Sequence, residues 1–182
     1  LFAVDASGSM GARERMRAVK GAIFYMLQEA YQKRDRVGMV AFRRQKAELL
    51  LPITRSVDLA QKCLAEMPTG GKTPLADGLS TALVTLGMLN KKDSELEPIL
   101  ILVTDGRANA IEENSGDPVE SALKMAEKIR KAKITSVVID TETDFIKLGV
   151  AKAVAKAMGA TYYSLRSLSQ EHILRIVRNL DV

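Results

Sequence analysis

Five oxygen-bearing side chains occur in three short segments that could together bind one cation. Asp5, Ser7 and Ser9 alternate along the first segment, and alternate residues of an extended chain point to the same side. Thr73 and Asp105 add a hydroxyl and a second carboxylate from two later segments. Carboxylates and hydroxyls are hard ligands, and the set contains no Cys or His. The sequence therefore predicts a site for Mg²⁺, Mn²⁺ or Ca²⁺ and disfavours Zn²⁺.

The coordination shell of such a cation would remain partly open. Mg²⁺ prefers octahedral coordination and usually keeps several waters, so carboxylates and hydroxyls leave room for an outside ligand. An Asp or Glu of a partner protein could complete the shell. We expect the residues that flank the ligands to contact that partner, namely Gly8, Gly71, Lys72 and Arg107.

Other catalytic motifs fit these segments less well. The segment 71–73, Gly-Lys-Thr, resembles the end of a phosphate-binding loop, but that pattern needs Gly where Glu66 stands. A nucleophile elbow around Ser9 needs Gly at the position of Ser7. A phosphoaspartyl hydrolase that uses Asp5 would be expected to have an acidic residue at that same position.

Two further interpretations of the oxygen ligands remain open. The cation could activate water against a phosphate ester, which needs a general base, and the sequence offers Asp77 and Asp140. The single histidine, His172, lies in a predicted helix beside Glu171 and is more typical of a helix surface than of a catalytic triad. The segments could also be turns whose side chains bond only to the backbone.

Short apolar strands alternate with amphipathic helices along the chain. The predicted strands are residues 1–4, 37–42, 47–51, 99–103, 134–139 and 161–164, with Pro52 ending the third. The predicted helices are residues 14–33, 57–67, 75–89, 118–132, 147–158 and 170–180. Ser56 and Asp117 are predicted N-caps. Pro74 suits the first turn of the third helix, and Gly159 the end of the fifth.

This alternation predicts an α/β fold with a mostly parallel sheet and helices on both of its faces. Strands 37–42 and 47–51 are the exception, because residues 43–46 are too few for a crossover helix. They should form a hairpin that leaves one antiparallel strand at an edge. Ligands of such sheets bind at the carboxyl ends of the strands, where Asp5 and Asp105 stand.

Composition and charge narrow the class of protein. The 182 residues suit a single domain, and the formal net charge of +5 is spread over several helices, which favours solvated helix faces over nucleic-acid binding. The single cysteine, Cys63, is typical of a reducing compartment, so we expect a cytoplasmic protein. No apolar run reaches the roughly 18 residues that span a membrane. The chain opens inside an apolar run, which indicates a piece of a longer protein.

The candidate ligands resemble the metal-ion-dependent adhesion site of von Willebrand factor type A (integrin I-like) domains. The resemblance lies in Asp5-Ala6-Ser7-Gly8-Ser9, Thr73 and Thr104-Asp105-Gly106, and it covers essentially the whole chain. It implies a doubly wound, Rossmann-like sheet of about six strands with one antiparallel edge strand. In that family the two serines and the threonine or second aspartate touch the metal, and the first aspartate often acts through water.

Longer stretches are similar to the C-terminal domain of the magnesium chelatase D subunit. They are residues 2–10, 15–21, 30–37, 40–43, 47–52, 68–75, 104–109 and 138–142. That subunit works with an AAA+ ATPase to insert Mg²⁺ into protoporphyrin IX, and a large porphyrin-binding subunit is a possible further partner. The resemblance implies an interaction domain whose cation is capped by an Asp or Glu of the ATPase, while catalysis resides in the assembly. A cobalt chelatase or another AAA+ (MoxR-type) chaperone pair is the alternative.

Overall fold

Six strands form one sheet in a computed structural model that describes residues 1–7, 13–93, 95–109, 116–142 and 149–165. The strands are β1 (Phe2–Asp5), β2 (Val37–Arg43), β3 (Lys46–Thr54), β4 (Ile99–Thr104), β5 (Thr135–Asp140) and β6 (Thr161–Ser164). The helices in the described ranges are α1 (Arg13–Gln32), α2 (Val57–Glu66), α3 (Leu75–Lys92), α4 (Pro118–Lys131) and α5 (Val150–Met158).

The sheet is doubly wound from its centre. The strand order is β3-β2-β1-β4-β5-β6, and every neighbouring pair is parallel except β2 with β3. The predicted α/β architecture, including its hairpin and its antiparallel edge strand, is therefore confirmed. The direction of winding reverses between β1 and β4, and ligands of open α/β sheets bind at such a switch point.

Two apolar layers cover the sheet because successive residues of its central strands face opposite sides. Phe2 and Val4 of β1 belong to the layer that also contains the buried residues of α1 and α2. Ala3, between them, belongs to the layer formed with α3, α4 and α5. Burial on both faces explains why β1 and β4 are continuous apolar runs in the sequence.

Pro52 does not end the third strand, contrary to the prediction. β3 continues to Thr54, and it lies at the edge of the sheet, where proline is tolerated. The pairing with β2 shifts in register twice, between Val37 and Met39 and between Met39 and Val40. Each shift places one extra residue on β3, an irregularity of the β-bulge type, and the first of them spans Pro52.

The predicted caps of three helices are confirmed. Ser56 accepts a hydrogen bond from the Leu59 amide at 3.2 Å, and Asp117 accepts one from the Val119 amide at 2.9 Å. Gly159 ends α5 in the left-handed conformation, with φ of 67°. At the two N-termini, the side-chain acceptors satisfy amides that have no partner within the helix.

The ends of α3 and α5 differ from the prediction. Pro74 occupies the N-cap of α3 and not its first turn, and the helix runs beyond Leu89 to Lys92. α5 begins at Val150, while the predicted start at residue 147 and the predicted last helix, 170–180, lie outside the described residues. None of the helices that the structure describes is long and apolar enough to cross a membrane.

Gly78 lies on the face of α3 that packs against Phe42 of β2, so Gly78→Ala is expected to destabilise the fold. A methyl group there would lie 2.5 Å from Cδ1 of the fully buried Phe42 ring. Overpacking of this kind costs about 1–3 kcal/mol of the free energy of unfolding, measurable by urea denaturation. Gly87→Ala, on the same helix with nothing within 4 Å, is the control. It should stabilise the protein by about 0.5–1 kcal/mol, and equal stability of the two variants would contradict the packing argument.

Candidate metal centre

Two carboxylates are buried next to each other at the carboxyl ends of adjacent strands. Asp5 is the last residue of β1, and Asp105 directly follows β4. They are 0% and 1% exposed. The negative charge of Asp105 raises the pKa of Asp5, because the two side chains interact electrostatically. The switch point of the sheet therefore brings both predicted carboxylate ligands together.

Asp5 is held by hydrogen bonds from its own segment and from β4. The Ser7 amide donates to Oδ1 of Asp5 at 2.9 Å, and the Thr104 hydroxyl donates to Oδ2 at 3.1 Å. The Ser7 hydroxyl also bonds to this carboxylate, and Ser7 is only 2% exposed. The structure thus places the Ser7 hydroxyl beside Asp5, and hydrogen bonds to both oxygens fix the orientation of the carboxylate.

Asp105 keeps one oxygen without a hydrogen-bond donor among the described residues. Its Oδ1 accepts from the Arg107 amide at 3.0 Å. Its Oδ2 is buried and has no such donor, and the Arg107 Nε lies 3.8 Å from it. Burying a carboxylate oxygen without a hydrogen bond is costly, so such an oxygen suits a ligand that brings positive charge.

Thr73 comes from the loop before α3 and is tied to both neighbouring segments. Its amide donates to Oδ1 of Asn109 at 2.7 Å, and the Asn109 amide donates to the Thr73 carbonyl at 3.3 Å. The Gly70 amide donates to the Ala6 carbonyl at 2.7 Å, which joins the same loop to the end of β1. Thr73 is fully buried. Three segments that are distant in the chain therefore meet at one edge of the sheet.

Gly106 allows the segment after β4 to pass close to α5. Its φ is +75°, a conformation that glycine adopts without steric cost. A side chain there would also place Cβ 2.5 Å from the Ala151 backbone nitrogen. The Gly106 amide donates to the Thr104 hydroxyl at 3.0 Å. Gly106 thus fixes the path of the chain immediately after Asp105.

The electrostatics of the two carboxylates, Asp5 and Asp105, favour the binding of a positive charge. The pKa of Asp5 is raised from its ordinary value of 3.8 to about 7. Burial is the largest cause and the charge of Asp105 the second, while hydrogen bonds from Ser7 and Thr104 act in the opposite direction. A cation between the two carboxylates would favour their charged forms.

The residues present fit a hard divalent cation. Two buried carboxylates and the buried hydroxyls of Ser7 and Thr73 are all oxygen donors. In the described part of the chain, no three His, Cys, Asp or Glu side chains are grouped as metal ligands, so a cation here would need the hydroxyls. Ser9 lies outside the described residues, and its role as a ligand stays a prediction.

The predicted partner-contact residues surround this edge where they are described. Gly71 and Lys72 are exposed beside Thr73, and the Arg107 side chain is 35% exposed beside Asp105. Gly8 lies outside the described residues. Partner contact at all four positions remains a prediction.

Two residues that bond to the candidate ligands were not predicted to do so from the sequence. Thr104 lies inside the motif that carries Asp105, and its hydroxyl donates to Asp5. Asn109 holds Thr73, its partner 36 positions earlier in the chain. No pattern signals that contact, because it depends on how two loops meet in the folded protein.

Asp77 and Asp140, the two candidate general bases, accept hydrogen bonds from other parts of the fold. Oδ2 of Asp77 accepts from the Ala47 amide at 2.6 Å. Asp140 accepts from the Glu142 amide at 2.7 Å and from the Tyr162 hydroxyl at 2.5 Å. Burial, and then the bond to Asp140, raise the pKa of the Tyr162 hydroxyl. These contacts give the hydrolase alternative no support, and His172 lies outside the described residues.

Comparison with known proteins adds family evidence to this geometry. A family model of the von Willebrand factor type A domain matches residues 1–108. An uncharacterised protein of Methanocaldococcus jannaschii is 43% identical over 175 residues, which cover 95% of this chain and 99% of that protein. The magnesium-chelatase 60 kDa subunit of Cereibacter sphaeroides is 41% identical over 168 residues, which cover 91% of this chain. The chain spans 29% of that subunit.

A solved structure shows the same fold. The crystal structure of a conserved hypothetical protein, BatB, from Bacteroides thetaiotaomicron matches with a TM-score of 0.75 and 18% identity. The match covers 99% of this chain and 95% of that one. At this identity the likeness concerns the fold alone.

Asp5 is expected to make the metal-free protein less stable as the pH rises. Because its folded pKa of about 7 exceeds the ordinary 3.8, the folded state keeps a proton that the unfolded state has released between these values. The stabilisation is fully present below about pH 4 and is lost as the pH rises through about 7. It amounts to about a few kcal/mol, and urea denaturation in EDTA at several pH values measures it.

Asp5→Asn should flatten this pH dependence. Asp58→Asn, at an exposed position of α2, is the control and should leave the dependence unchanged. Identical pH profiles for the wild type and Asp5→Asn would show that the Asp5 carboxyl is not perturbed.

Proposed function

Because the chain belongs to the von Willebrand factor type A domain family, we propose that it is a metal-dependent protein-interaction domain. Asp5, Ser7, Thr73 and Asp105, together with Ser9, would hold Mg²⁺ or a similar cation. The observation that carries the proposal is the pairing of two buried carboxylates, one of which has an oxygen without a hydrogen-bond donor among the described residues. A carboxylate from the partner would complete the coordination shell.

Each described residue would have a distinct task at this centre. Asp5 and Asp105 would supply the negative charge, and the hydroxyls of Ser7 and Thr73 would add neutral oxygen donors. Thr104 and Asn109 would position these groups, the first through its bond to Asp5 and the second through its bonds to Thr73. When bound, the cation would supply a positive centre that accepts an outside carboxylate.

Similarity to the relatives supports a proposal for the assembly in which the domain works. Identity of 41% with a magnesium-chelatase subunit over 91% of this chain supports a magnesium chelatase-like complex. In this proposal the domain pairs with an AAA+ ATPase subunit, and the complex inserts Mg²⁺ into protoporphyrin IX, with a large porphyrin-binding subunit as a further partner. The chain spans 29% of the related subunit, so we assign ATP hydrolysis and metal insertion to the assembly.

Removal of the metal or of a carboxylate ligand should abolish partner binding. Isothermal titration calorimetry is expected to detect Mg²⁺ or Mn²⁺ binding by the wild type, with an affinity reduced at least about tenfold in Asp105→Asn. Capture of the AAA+ ATPase subunit of a magnesium chelatase should succeed in Mg²⁺ and fail in EDTA. Asp58→Asn should behave like the wild type in both assays. Metal affinity that is unchanged in Asp105→Asn would refute the site, and capture that resists EDTA would refute metal-dependent interaction.

Asn109→Ala should weaken metal binding although Asn109 is not a proposed ligand. Its Oδ1 holds the Thr73 amide, and loss of such a supporting contact typically lowers metal affinity about tenfold or more. Asn109 is exposed, so the fold should tolerate the change. Asn109→Asp keeps an acceptor oxygen and should retain affinity near that of the wild type. If both variants bind metal like the wild type in calorimetry, Asn109 does not position Thr73 for a cation.

A further inference from the structure

The turn between β2 and β3 packs directly against the loop that carries Thr73. Arg44, in this turn, has a left-handed backbone with φ of 57°, which is uncommon for residues other than glycine. A Cβ on Gly71 would lie 2.6 Å from Cγ of Arg44 and 3.1 Å from its Cα. Because Gly71 has no side chain, the two loops can touch. Arg44 therefore lies against Gly71, the neighbour of Lys72 in the chain.

This turn lies at the same edge of the sheet as the proposed metal centre. Asp5 pairs in register with Phe42, and the Ala6 amide donates to the Phe42 carbonyl at 3.0 Å. The chain then continues from Phe42 into Arg43 and Arg44. The turn therefore begins immediately beside the end of β1, where the first carboxylate stands.

Three exposed cations at this edge have no acidic partner among the described residues. Arg44, Lys46 and Lys72 are exposed, and the salt bridges found in the described part of the chain involve other cations. Lys124, by contrast, pairs with Glu120 at 2.7 Å on α4. The positive charge at this edge is therefore available to a partner.

The charge balance of the proposed centre makes these cations important. The two carboxylates Asp5 and Asp105 would already balance the charge of Mg²⁺. A partner carboxylate would then meet little net charge at the ion, and further attraction has to come from neighbouring groups. One exposed ion pair contributes little, but several acting on one segment add up.

We propose that Arg44, Lys46 and Lys72 form a basic rim that selects an acidic protein segment, with one carboxylate at the metal and others on the rim. The inference rests on the proposed metal centre for that first contact. It adds the chemistry of the partner, which is a segment with several Asp or Glu residues close together and not a solitary acid. The formal net charge of +5 supports attraction of such a segment at longer range.

The test compares two labelled peptides by fluorescence anisotropy with the whole chain in Mg²⁺. One peptide is rich in Asp and Glu, and in the other all but one of these residues are replaced by Asn and Gln. The acidic peptide is expected to bind about tenfold more tightly at low salt. The triple variant Arg44→Asn, Lys46→Gln, Lys72→Gln should lose this preference. Asn at position 44 tolerates the left-handed backbone.

The matched control variant replaces exposed lysines at the end of α4 and in the residues that follow it. Lys128→Gln, Lys131→Gln, Lys133→Asn removes the same charge from exposed positions, and Lys133 also has a left-handed backbone, with φ of 56°. These residues precede β5, so they lie near the amino ends of the parallel strands, whereas the proposed basic rim lies near the carboxyl ends. This variant should keep the preference for the acidic peptide, and an equal loss in both variants would overturn the basic rim.

Calorimetry with Mg²⁺ separates failure of the rim from failure of the metal centre. Unchanged Mg²⁺ affinity with a lost peptide preference in the rim variant supports the inference, and a retained preference overturns it. If the wild type binds no Mg²⁺, the metal centre is refuted, and the peptide preference measured in EDTA decides the rim alone. A single-stranded DNA oligonucleotide of the same charge is the last probe. Binding as tight as that of the acidic peptide would overturn selection of a protein segment.

Discussion

The burial of two neighbouring carboxylates at the switch point of the sheet is the constraint on which the candidate site depends. Asp5 and Asp105 are 0% and 1% exposed at neighbouring strand ends, and burial together with their mutual repulsion raises the pKa of Asp5 to about 7. Hydrogen bonds from Ser7 and Thr104 offset part of that cost. Arrangements that oppose stability in this way are concentrated at functional sites. A cation held between the carboxylates would favour their charged forms, which supports the proposed metal centre over the alternative of a structural turn.

The scaffold maintains this arrangement through contacts between segments that are far apart in the chain. Parallel β1 and β4 end at the same edge, so their following residues meet without any special loop. Thr73 needs more support, because it lies on a loop, and bonds through Asn109 and Gly70 tie that loop to both strand ends. Gly106 keeps the remaining segment against α5. The candidate ligands described here thus rest on the sheet and on short bonded loops, as a preorganised site requires.

The antiparallel edge strand has a consequence for this surface. A parallel β3 would require a crossover that leaves from the carboxyl end of β2, usually a helix. The hairpin instead places a short turn there, and that turn carries Arg44 against Gly71. One departure from an all-parallel sheet thereby sets exposed positive charge next to a site built from negative charge, which couples the topology of the sheet to the chemistry of the proposed partner.

The sequence by itself determined the architecture and the set of candidate ligands. Apolar periodicity, the residues at helix ends and the short hairpin connection are local properties, so the α/β alternation, the antiparallel edge strand and the caps at Ser56, Asp117 and Gly159 could be predicted. The hard oxygen chemistry of the candidate site follows from residue types alone. Only the tertiary structure decided that β3 passes Pro52 at the sheet edge, that Asn109 holds Thr73, and that Arg44 packs on Gly71. These features depend on contacts between residues distant in the chain, and a single sequence carries no local signal for them.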